Sequence, residues 1–321
     1  MKPKVIIYKK VDRRVVDFVQ ETCDVKYFEN LNTENYPEFL HSLQDAHGLL
    51  GSLLKVDKTL LDQAPHLKVV SNISVGYDNL DLPELLERGI VATNTPDVLN
   101  ETVADTVLGL MLSTARRIPE LDHWVKTGQW QSNLESQWFG VDVHHKALGI
   151  IGLGGIGAAV AKRAHLGFDM EILYHNRSRN EAAEQKYGAT YCSMDELLEK
   201  SDFVCLMTPH TPATEKMMGK REFEIMKDSA IFINCSRGKT VDEEALVHAL
   251  QKGEIAGAGL DVFTKEPIEM DNPLLSMKNV VTTPHIGSAT HETRFKMAML
   301  AAKNLVTGLM GDTPPNLIRA R

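Results

Sequence analysis

One glycine-rich segment constrains the fold of this chain more than any other part of its sequence. The apolar run 148–151 leads directly into Gly152-Leu153-Gly154-Gly155-Ile156-Gly157, and an alanine-rich stretch with a helical pattern, 158–165, follows. In a GxGxxG turn between a strand and a helix, the first glycine permits the tight turn, the second lets the backbone approach a pyrophosphate, and the third lets helix and strand pack closely. A glycine turn alone is a weak signal, but this setting predicts a dinucleotide site on a parallel sheet.

Short apolar, β-branched runs alternate with amphipathic stretches along most of the chain. Such runs are typical of strands buried on both faces, and their alternation with helices predicts parallel α/β sheets. Strands are predicted at 5–8, 48–52, 69–73, 90–93, 148–151, 172–174, 203–207, 231–234, 257–262 and 280–282. Between the two groups, Asn100 to Arg117 is predicted to form a rigid connector helix that is broken at Pro119. Ser193 and Glu196 form a predicted capping box at the start of another helix.

Length and charge narrow the classes of protein to consider. A chain of 321 residues exceeds the size at which one hydrophobic core usually stops growing, so two domains are expected. The net charge of −8 offers no long-range attraction to nucleic acid or to anionic lipid, which makes both improbable partners. The longest uncharged run, 147–161, is shorter than the roughly 20 residues that span a bilayer, and residues 1–10 lack the apolar core of a signal peptide.

The cysteines indicate a reducing compartment. The four of them are scattered without a CxxC pair, which argues against a disulfide framework and against structural zinc. They are Cys23, Cys192, Cys205 and Cys235. Histidines and carboxylates also lack the spacing of a metal site. We therefore predict a cytoplasmic protein without a bound metal.

The strand after the glycine turn predicts which dinucleotide binds. An NAD enzyme usually places an acidic residue about twenty residues beyond the motif, where it binds the ribose hydroxyls. Here the sequence reads Asn176-Arg177-Ser178-Arg179, with no carboxylate. A guanidinium offers planar, charge-assisted donors to a 2′-phosphate, so NADP is favoured over NAD, which stays possible. The alternative is that both arginines are solvated loop charges.

Three residues that follow predicted strands of the second half form a candidate reaction centre. Arg237 can hold a carboxylate through two parallel hydrogen bonds and polarise the neighbouring carbonyl. A protonated His285 can deliver a proton to the carbonyl oxygen as hydride reaches the carbon, and a carboxylate at Glu266 in contact with the ring would favour the imidazolium. Each also has a structural reading, as an ion pair or a core histidine, but jointly, beside a dinucleotide motif, they favour catalysis.

Several further motifs identify a family. They are Ser74-Val75-Gly76-Tyr77-Asp78-Asn79, the GLGGIG turn, Cys235-Ser236-Arg237-Gly238, residues 259–267 and Pro284-His285-Ile286-Gly287. Together they resemble the D-isomer-specific 2-hydroxyacid dehydrogenases over nearly the whole chain. Within that family, the segments 101–106, 142–146 and 287–293 are similar to those of bacterial glyoxylate and hydroxypyruvate reductases that also reduce 2-ketogluconate.

The resemblance implies a set of roles around the reaction centre. Arg237, Glu266 and His285 would be the catalytic residues. Backbone N–H groups of Val75 and Gly76 would bind the substrate carboxylate; without the family, an ordinary strand-end turn is the preferred reading.

It also implies further contacts with substrate and cofactor. Ser288 would touch substrate, Asp261 and the backbone of Cys235 would hold the nicotinamide carboxamide, and Thr106 would reach the cofactor from the connector helix. Without the family, Asp261 reads as a capping carboxylate and Ser288 as a helix N-cap.

The resemblance implies a discontinuous domain plan. It consists of two doubly wound parallel-sheet α/β domains: a flavodoxin-like substrate domain, residues 1–100 and 287–321, and a Rossmann-type NAD(P)-binding domain, residues 101–286, with substrate bound in the cleft. A segment at about 117–140, with Trp124, Trp130 and Trp138, would be a dimerisation arm, since polar and aromatic residues fit an interface; those tryptophans could instead be core.

These observations predict an NADPH-preferring reductase of small 2-keto acids such as glyoxylate, hydroxypyruvate and 2-ketogluconate. One alternative is a non-catalytic protein that senses dinucleotide levels with the same fold. Another is a different D-2-hydroxyacid dehydrogenase, such as phosphoglycerate dehydrogenase, which the missing acidic residue near Arg177 disfavours.

Overall fold

The computed structural model of the chain describes residues 2–319 and divides it into two compact units. The first comprises the residues up to Leu99 together with those from Ala289 onward, and the second runs from Asn100 to Ser288. Each unit is built on its own parallel sheet with helices between the strands. The predicted fold class, two parallel-sheet α/β domains, is confirmed.

The strands and helices of the described residues alternate as the sequence pattern predicts. The strands are β1 Lys4–Ile7, β2 Asp24–Tyr27, β3 Gly48–Gly51, β4 Val69–Asn72, β5 Val91–Thr93, β6 Ala147–Ile151, β7 Glu171–His175, β8 Thr190–Tyr191, β9 Phe203–Leu206, β10 Ile231–Asn234, β11 Gly257–Leu260 and β12 Val280–Thr282. The α-helices are α1 Arg13–Thr22, α2 Tyr36–Leu43, α3 Lys58–Leu61, α4 Leu82–Glu87, α5 Asn100–Ala115, α6 Ile118–Lys126, α7 Gly155–Phe168, α8 Glu181–Tyr187, α9 Met194–Lys200, α10 Lys220–Ile225, α11 Glu243–Lys252 and α12 His291–Leu309. Short 3-10 helices lie at Ser136–Trp138, Gly238–Thr240 and Pro273–Ser276.

The first unit has the flavodoxin-like strand order β2-β1-β3-β4-β5. Its last helix, α12, comes from the far end of the chain and packs on β3 and β4. The Ser71 hydroxyl donates to the Ala301 carbonyl oxygen at 2.7 Å, and a Cβ on Gly48 would lie only 2.9 Å from the Leu305 side chain. A glycine at position 48 thus lets this helix approach the sheet closely.

The second unit has the order β12-β11-β10-β9-β6-β7-β8. Counted within the unit, this is the Rossmann order 3-2-1-4-5-6 with one strand added, and it reverses between β6 and β9. Ligands of such sheets bind at the carboxyl ends of the strands beside that reversal. The glycine turn follows β6, so it lies at this edge.

Two strands escape sequence prediction, and both are short strands at sheet edges. The residues of β2 are alternately exposed and half-buried, and both residues of β8 are exposed. An edge strand with few buried side chains lacks the apolar run by which the inner strands were recognised.

The connector differs from the prediction in how it ends. The helix α5 stops at Ala115, and the chain turns at Arg117, which has a left-handed φ of +54°. Pro119 then lies in the first turn of α6 instead of breaking a continuing helix, because proline is well tolerated at the first helical positions. The predicted capping box is confirmed, with Ser193 and Glu196 hydrogen-bonded to each other's backbone N–H groups.

Among residues 2–319, none of the helices combines the length and the apolar character needed to cross a bilayer.

Candidate active site

The glycine turn after β6 has the geometry that close backbone packing demands. Gly152 has a φ of +102°, and a Cβ there would lie 2.8 Å from the backbone of Met207. A Cβ on Gly157 would lie 2.5 Å from the carbonyl oxygen of Gly152. At Gly154, in contrast, no atom lies within 4 Å of a built Cβ. The two outer glycines are therefore needed for packing inside the unit, while the middle one borders open space.

Asn176, the first residue after β7, stabilises the glycine turn. The Asn176 side chain accepts a hydrogen bond from Leu153 N–H at 2.7 Å, and its amide nitrogen lies 3.3 Å from the Leu153 carbonyl oxygen. Asn176 thus acts on the glycine turn, a role that the sequence did not reveal. Arg177 and Ser178 follow it and are both exposed.

Arg179 differs from Arg177 because an acidic residue already holds it. Its Nε and Nη2 donate to the two carboxylate oxygens of Glu184 at 3.0 and 2.6 Å. Tyr174, at the end of β7, donates to the same carboxylate at 2.5 Å. The guanidinium and the tyrosine hydroxyl lower the pKa of Glu184, so this carboxylate stays ionised. A phosphate would have to compete with it for Arg179.

The centre of the second unit is a hydrogen bond between His285 and Glu266. His285 Nδ1 and Glu266 Oε2 are 2.7 Å apart, with both side chains partly exposed. The other carboxylate oxygen, Oε1, accepts from Phe263 N–H at 3.1 Å. Because an ionised carboxylate can only accept, His285 Nδ1 is the donor, and Nε2 is the ring nitrogen that does not contact Glu266.

The environment of Glu266 keeps it charged. Burial opposes ionisation, but the hydrogen bonds from His285 and Phe263, with the positive charges of His285 and Arg237, outweigh it and hold the pKa of Glu266 below its usual 4.5. Among these causes the charge of Arg237 contributes the least to the lowered pKa of Glu266.

A close backbone contact brings the Arg237 loop to the loop of Glu266. A Cβ on Gly238 would lie 1.9 Å from the Phe263 carbonyl, so only glycine allows these two loops to meet. The guanidinium Nη1 of Arg237 donates to the Ser236 carbonyl oxygen at 2.8 Å, which limits its rotation. The sequence shows Gly238 only as the last residue of a motif, and the fold reveals its role in packing.

Asp261 holds the loop that carries His285. Its carboxylate is 1% exposed and accepts three hydrogen bonds, one from the Thr283 hydroxyl at 2.6 Å and two from the N–H groups of Ile286 and Gly287 at 2.7 and 2.8 Å. His285 itself has a φ of +53°, a conformation that is costly for a residue other than glycine and needs support from its surroundings. Asp261 therefore caps the backbone of this loop and positions the histidine, in agreement with its alternative reading as a capping carboxylate.

Three more predicted site residues of the second unit, Thr106, Cys235 and Ser288, differ in their exposure and contacts. The Thr106 hydroxyl on α5 is 3.4 Å from the Gly287 carbonyl oxygen, so it contacts the same loop. Burial raises the pKa of the Cys235 thiol well above its usual value, which leaves that side chain neutral. Ser288 directly follows the loop and is partly exposed.

Val75 and Gly76 lie in the first unit, in the turn after β4. Their carbonyl oxygens accept hydrogen bonds from the side chains of Asn94 at 2.8 Å and Asn72 at 2.9 Å. Two asparagines therefore fix the conformation of this turn.

A candidate metal site is absent from the part of the chain that the structure describes. Residues 2–319 contain no group of three or more histidine, cysteine or acidic side chains arranged to hold an ion.

Comparisons with known proteins agree with this geometry. Residues 108–287 match the family described as D-isomer specific 2-hydroxyacid dehydrogenase, NAD binding domain. Over 318 residues the chain is 51% identical to glyoxylate/hydroxypyruvate reductase B of Yersinia pestis (strain Pestoides F). This alignment covers 99% of this chain and 98% of that relative.

Solved structures extend the likeness to three dimensions. An NADPH-dependent glyoxylate/hydroxypyruvate reductase from Sinorhizobium meliloti, in complex with NADP and malonate, is 34% identical with a TM-score of 0.86, covering 100% of this chain and 99% of that one. A protein from Thermus thermophilus is 38% identical with a TM-score of 0.91, covering 98% of this chain and all of the other. The resemblance in the motifs is thereby confirmed, and the chain belongs to the D-isomer specific 2-hydroxyacid dehydrogenases, a family of nicotinamide-dependent oxidoreductases.

Proposed function

We propose that this protein reduces small 2-keto acids to D-2-hydroxy acids with NADPH as the preferred hydride donor. The proposed substrates are glyoxylate, hydroxypyruvate and 2-ketogluconate. The observation that carries the proposal is the 2.7 Å contact between His285 and Glu266, in a loop that the Arg237 loop meets at Gly238. Relatives that bear the name glyoxylate/hydroxypyruvate reductase support the choice of substrates.

The proposed chemistry assigns one task to each of the three side chains. Arg237 binds the substrate carboxylate and draws electron density from the adjacent carbonyl. His285 gives the proton on Nε2 to the carbonyl oxygen as negative charge grows there. Glu266 stabilises the imidazolium and fixes the ring through Nδ1, so that Nε2 keeps one orientation.

The cofactor assignment rests on the edge of the second sheet. The open space at Gly154 and the start of the 14-residue helix α7 suit a pyrophosphate, and Arg177 with Ser178 would meet a 2′-phosphate. When bound, the dinucleotide supplies the hydride that reduces the carbonyl carbon. Cys235, through its backbone, and Asp261 are proposed to orient the carboxamide.

Further contacts with the substrate complete the proposal. We assign the carboxylate to the backbone N–H groups of Val75 and Gly76 as well as to Arg237, and a further contact to Ser288.

The cysteines are consistent with the proposed cytoplasmic location. That compartment is reducing, and the four free thiols are Cys23, Cys192, Cys205 and Cys235.

Steady-state assays test the proposed function directly. Each of the three keto acids is reduced with NADPH and with NADH, and kcat/KM is measured for all six combinations. We expect turnover of glyoxylate and hydroxypyruvate with a higher kcat/KM for NADPH. Tight binding of cofactor without turnover of any of these acids would instead indicate a dinucleotide sensor.

Arg177→Ala is expected to separate the two cofactors. Losing a charge-assisted contact to the 2′-phosphate costs about 1.5–3 kcal/mol, so KM for NADPH should rise about tenfold or more while KM for NADH changes little. Arg179→Ala is the matched control, because Glu184 already occupies that guanidinium. If Arg177→Ala raised KM equally for NADPH and NADH, Arg177 would not contact the 2′-phosphate.

The pH dependence of reduction should reflect the lowered pKa of Glu266. A carboxyl group with a depressed pKa stays ionised as the pH falls through its usual range and is neutralised only below it. Since the pKa of Glu266 lies below 4.5, we expect no fall in kcat/KM for hydroxypyruvate between about pH 7 and about pH 5 from this group. In Glu266→Gln, kcat should drop on the order of tenfold to a hundredfold at every pH in this interval. A wild-type loss centred near pH 5.5 would contradict the assignment.

The segment 117–140 is proposed to pair with a second copy of the chain. No residue of α6 is buried, and apolar side chains such as Trp130 and Phe139 are 60% and 62% exposed. Trp124 and Trp138 stack at 5.1 Å with Arg117 over the second ring, which gives the segment a defined shape. Exposed apolar surface of this kind marks an interaction site.

A charge in this segment should weaken the dimer. Phe139→Glu buries an unpaired carboxylate at the proposed interface, and we expect sedimentation analysis to show a shift from dimer to monomer at micromolar concentration. Met270→Glu, at a still more exposed apolar position in another loop, should leave the mass unchanged. A wild-type monomer, or an unaltered Phe139→Glu dimer, would rule out this arm.

A further inference from the structure

The loop between β7 and α8 is fastened at both ends to the glycine turn. Asn176, at its start, hydrogen-bonds to the N–H and carbonyl groups of Leu153 at 2.7 and 3.3 Å. Asn180, at its end, donates to the same carbonyl oxygen at 2.9 Å. Arg177 and Arg179 lie between these two anchors in the sequence. Both arginines are therefore part of a loop whose ends are fixed to the turn.

The ion pair between Arg179 and Glu184 uses the same donors that would bind a phosphate. Nε and Nη2 of Arg179 donate to the two carboxylate oxygens of Glu184 at 3.0 and 2.6 Å. Carboxylates and phosphates both bind a guanidinium through two parallel N–H groups in its plane. Glu184 therefore occupies one donor edge of Arg179 and neutralises the charge that attracts a phosphate.

Glu184 is held in place by a second donor besides Arg179. The buried Tyr174 donates to its carboxylate at 2.5 Å, and the same hydroxyl accepts from Asn180 N–H at 2.7 Å. The Glu184 side chain is 17% exposed, whereas that of Arg179 is 63% exposed. The carboxylate is thus the fixed partner of the pair, and the guanidinium is the partner that can turn toward a ligand.

We propose that Glu184 limits how strongly this protein distinguishes NADPH from NADH, because its carboxylate competes with the 2′-phosphate for Arg179. Arg177 supplies a contact that needs no prior step, whereas Arg179 supplies a second one only after it leaves Glu184. The inference rests on the proposed function, which places the 2′-phosphate beside Arg177 and Ser178. Since NADH has no 2′-phosphate, its affinity should not depend on Glu184.

Fluorescence titration of the full chain with NADPH and with NADH tests this competition. Glu184→Gln removes the negative charge but keeps an amide oxygen that can accept from Tyr174, so the loop should keep its fold. We expect Kd for NADPH to fall about fivefold to tenfold and Kd for NADH to stay within about twofold. Glu181→Gln, at an exposed position in the first turn of the same helix, is the matched control, and both of its Kd values should stay within about twofold of wild type.

Two double variants show whether the gain in NADPH affinity depends on Arg179. When Arg179→Ala is added to Glu184→Gln, Kd for NADPH should return to within about twofold of wild type, because no guanidinium remains to be released. When Glu184→Gln is added to Arg177→Ala, the released Arg179 should lower Kd for NADPH about threefold or more relative to Arg177→Ala alone.

An unchanged or higher Kd for NADPH in Glu184→Gln overturns the inference, and a higher one would mean that Glu184 holds Arg179 in place for the phosphate. Equal tightening of NADPH and NADH also overturns it, because the effect would then not involve the 2′-phosphate. If Glu184→Gln does not fold, Glu184→Asp decides: its carboxylate is drawn back by one methylene, and Kd for NADPH should fall about threefold. Wild-type inactivity on the keto acids would refute the proposed function, while the titrations would still decide the role of Glu184.

Discussion

Replacing His285 with alanine should lower kcat for keto-acid reduction by on the order of 10² to 10⁴ while leaving cofactor affinity nearly unchanged. The variant loses the only group proposed to give a proton to the carbonyl oxygen, since Glu266 acts in the proposed chemistry only through the imidazole ring. The glycine turn and Asn176 lie on other loops and keep their contacts. Pre-steady-state reduction of hydroxypyruvate and fluorescence titration with NADPH measure the two quantities separately.

A second histidine provides the control for this variant. His248 lies on α11 with its side chain half exposed, 3.8 Å from Glu254, and has no part in the proposed chemistry. His248→Ala should retain wild-type kcat. If His285→Ala also retained it, the histidine would be removed from the mechanism; a parallel loss of NADPH binding would show that the substitution disturbs the fold of the site.

Arg237→Lys should lower kcat/KM for hydroxypyruvate about a hundredfold although the charge is kept. Lysine cannot present two parallel donors to a carboxylate, and one lost charge-assisted hydrogen bond costs about 1.5–3 kcal/mol. It would also give up the fixed orientation that the Ser236 carbonyl oxygen imposes at 2.8 Å. Steady-state kinetics with NADPH held at saturation isolate this substrate effect.

The exposed residue Lys239 gives a matched control in the same loop. Lys239→Met changes the local charge two positions away without touching the guanidinium, and its kcat/KM should stay within about twofold of wild type. Wild-type kinetics in Arg237→Lys would mean that a simple point charge suffices and that the two-pronged carboxylate contact is wrong.

Sequence patterns predicted the parts of the fold that depend on local rules. Inner strands reveal themselves through unbroken apolar runs, as at Ile231–Asn234, and the glycine turn through its spacing between strand and helix. Edge strands such as Asp24–Tyr27 leave no comparable signal, because half of their side chains face solvent.

The candidate site shows a similar division. Residue types and their positions after strands were enough to single out Arg237, Glu266 and His285. Which groups Asp261 caps could not be predicted, since its three donors come from a turn more than twenty residues later whose shape is known only in the folded chain. The capture of Arg179 by Glu184 likewise depends on how α8 begins, not on the motif itself.

The placement of α12 on the first sheet also orders events during synthesis. Ser71 hydrogen-bonds to Ala301, and Asn94 to Asn304. These partners are synthesised only after the entire second unit, so the two hydrogen bonds cannot form earlier. The second unit has all of its strands within residues 100–288, whereas the first stays incomplete until α12 is made. A released chain truncated before His291 should therefore leave its first hundred residues open to proteases while the second unit is protected.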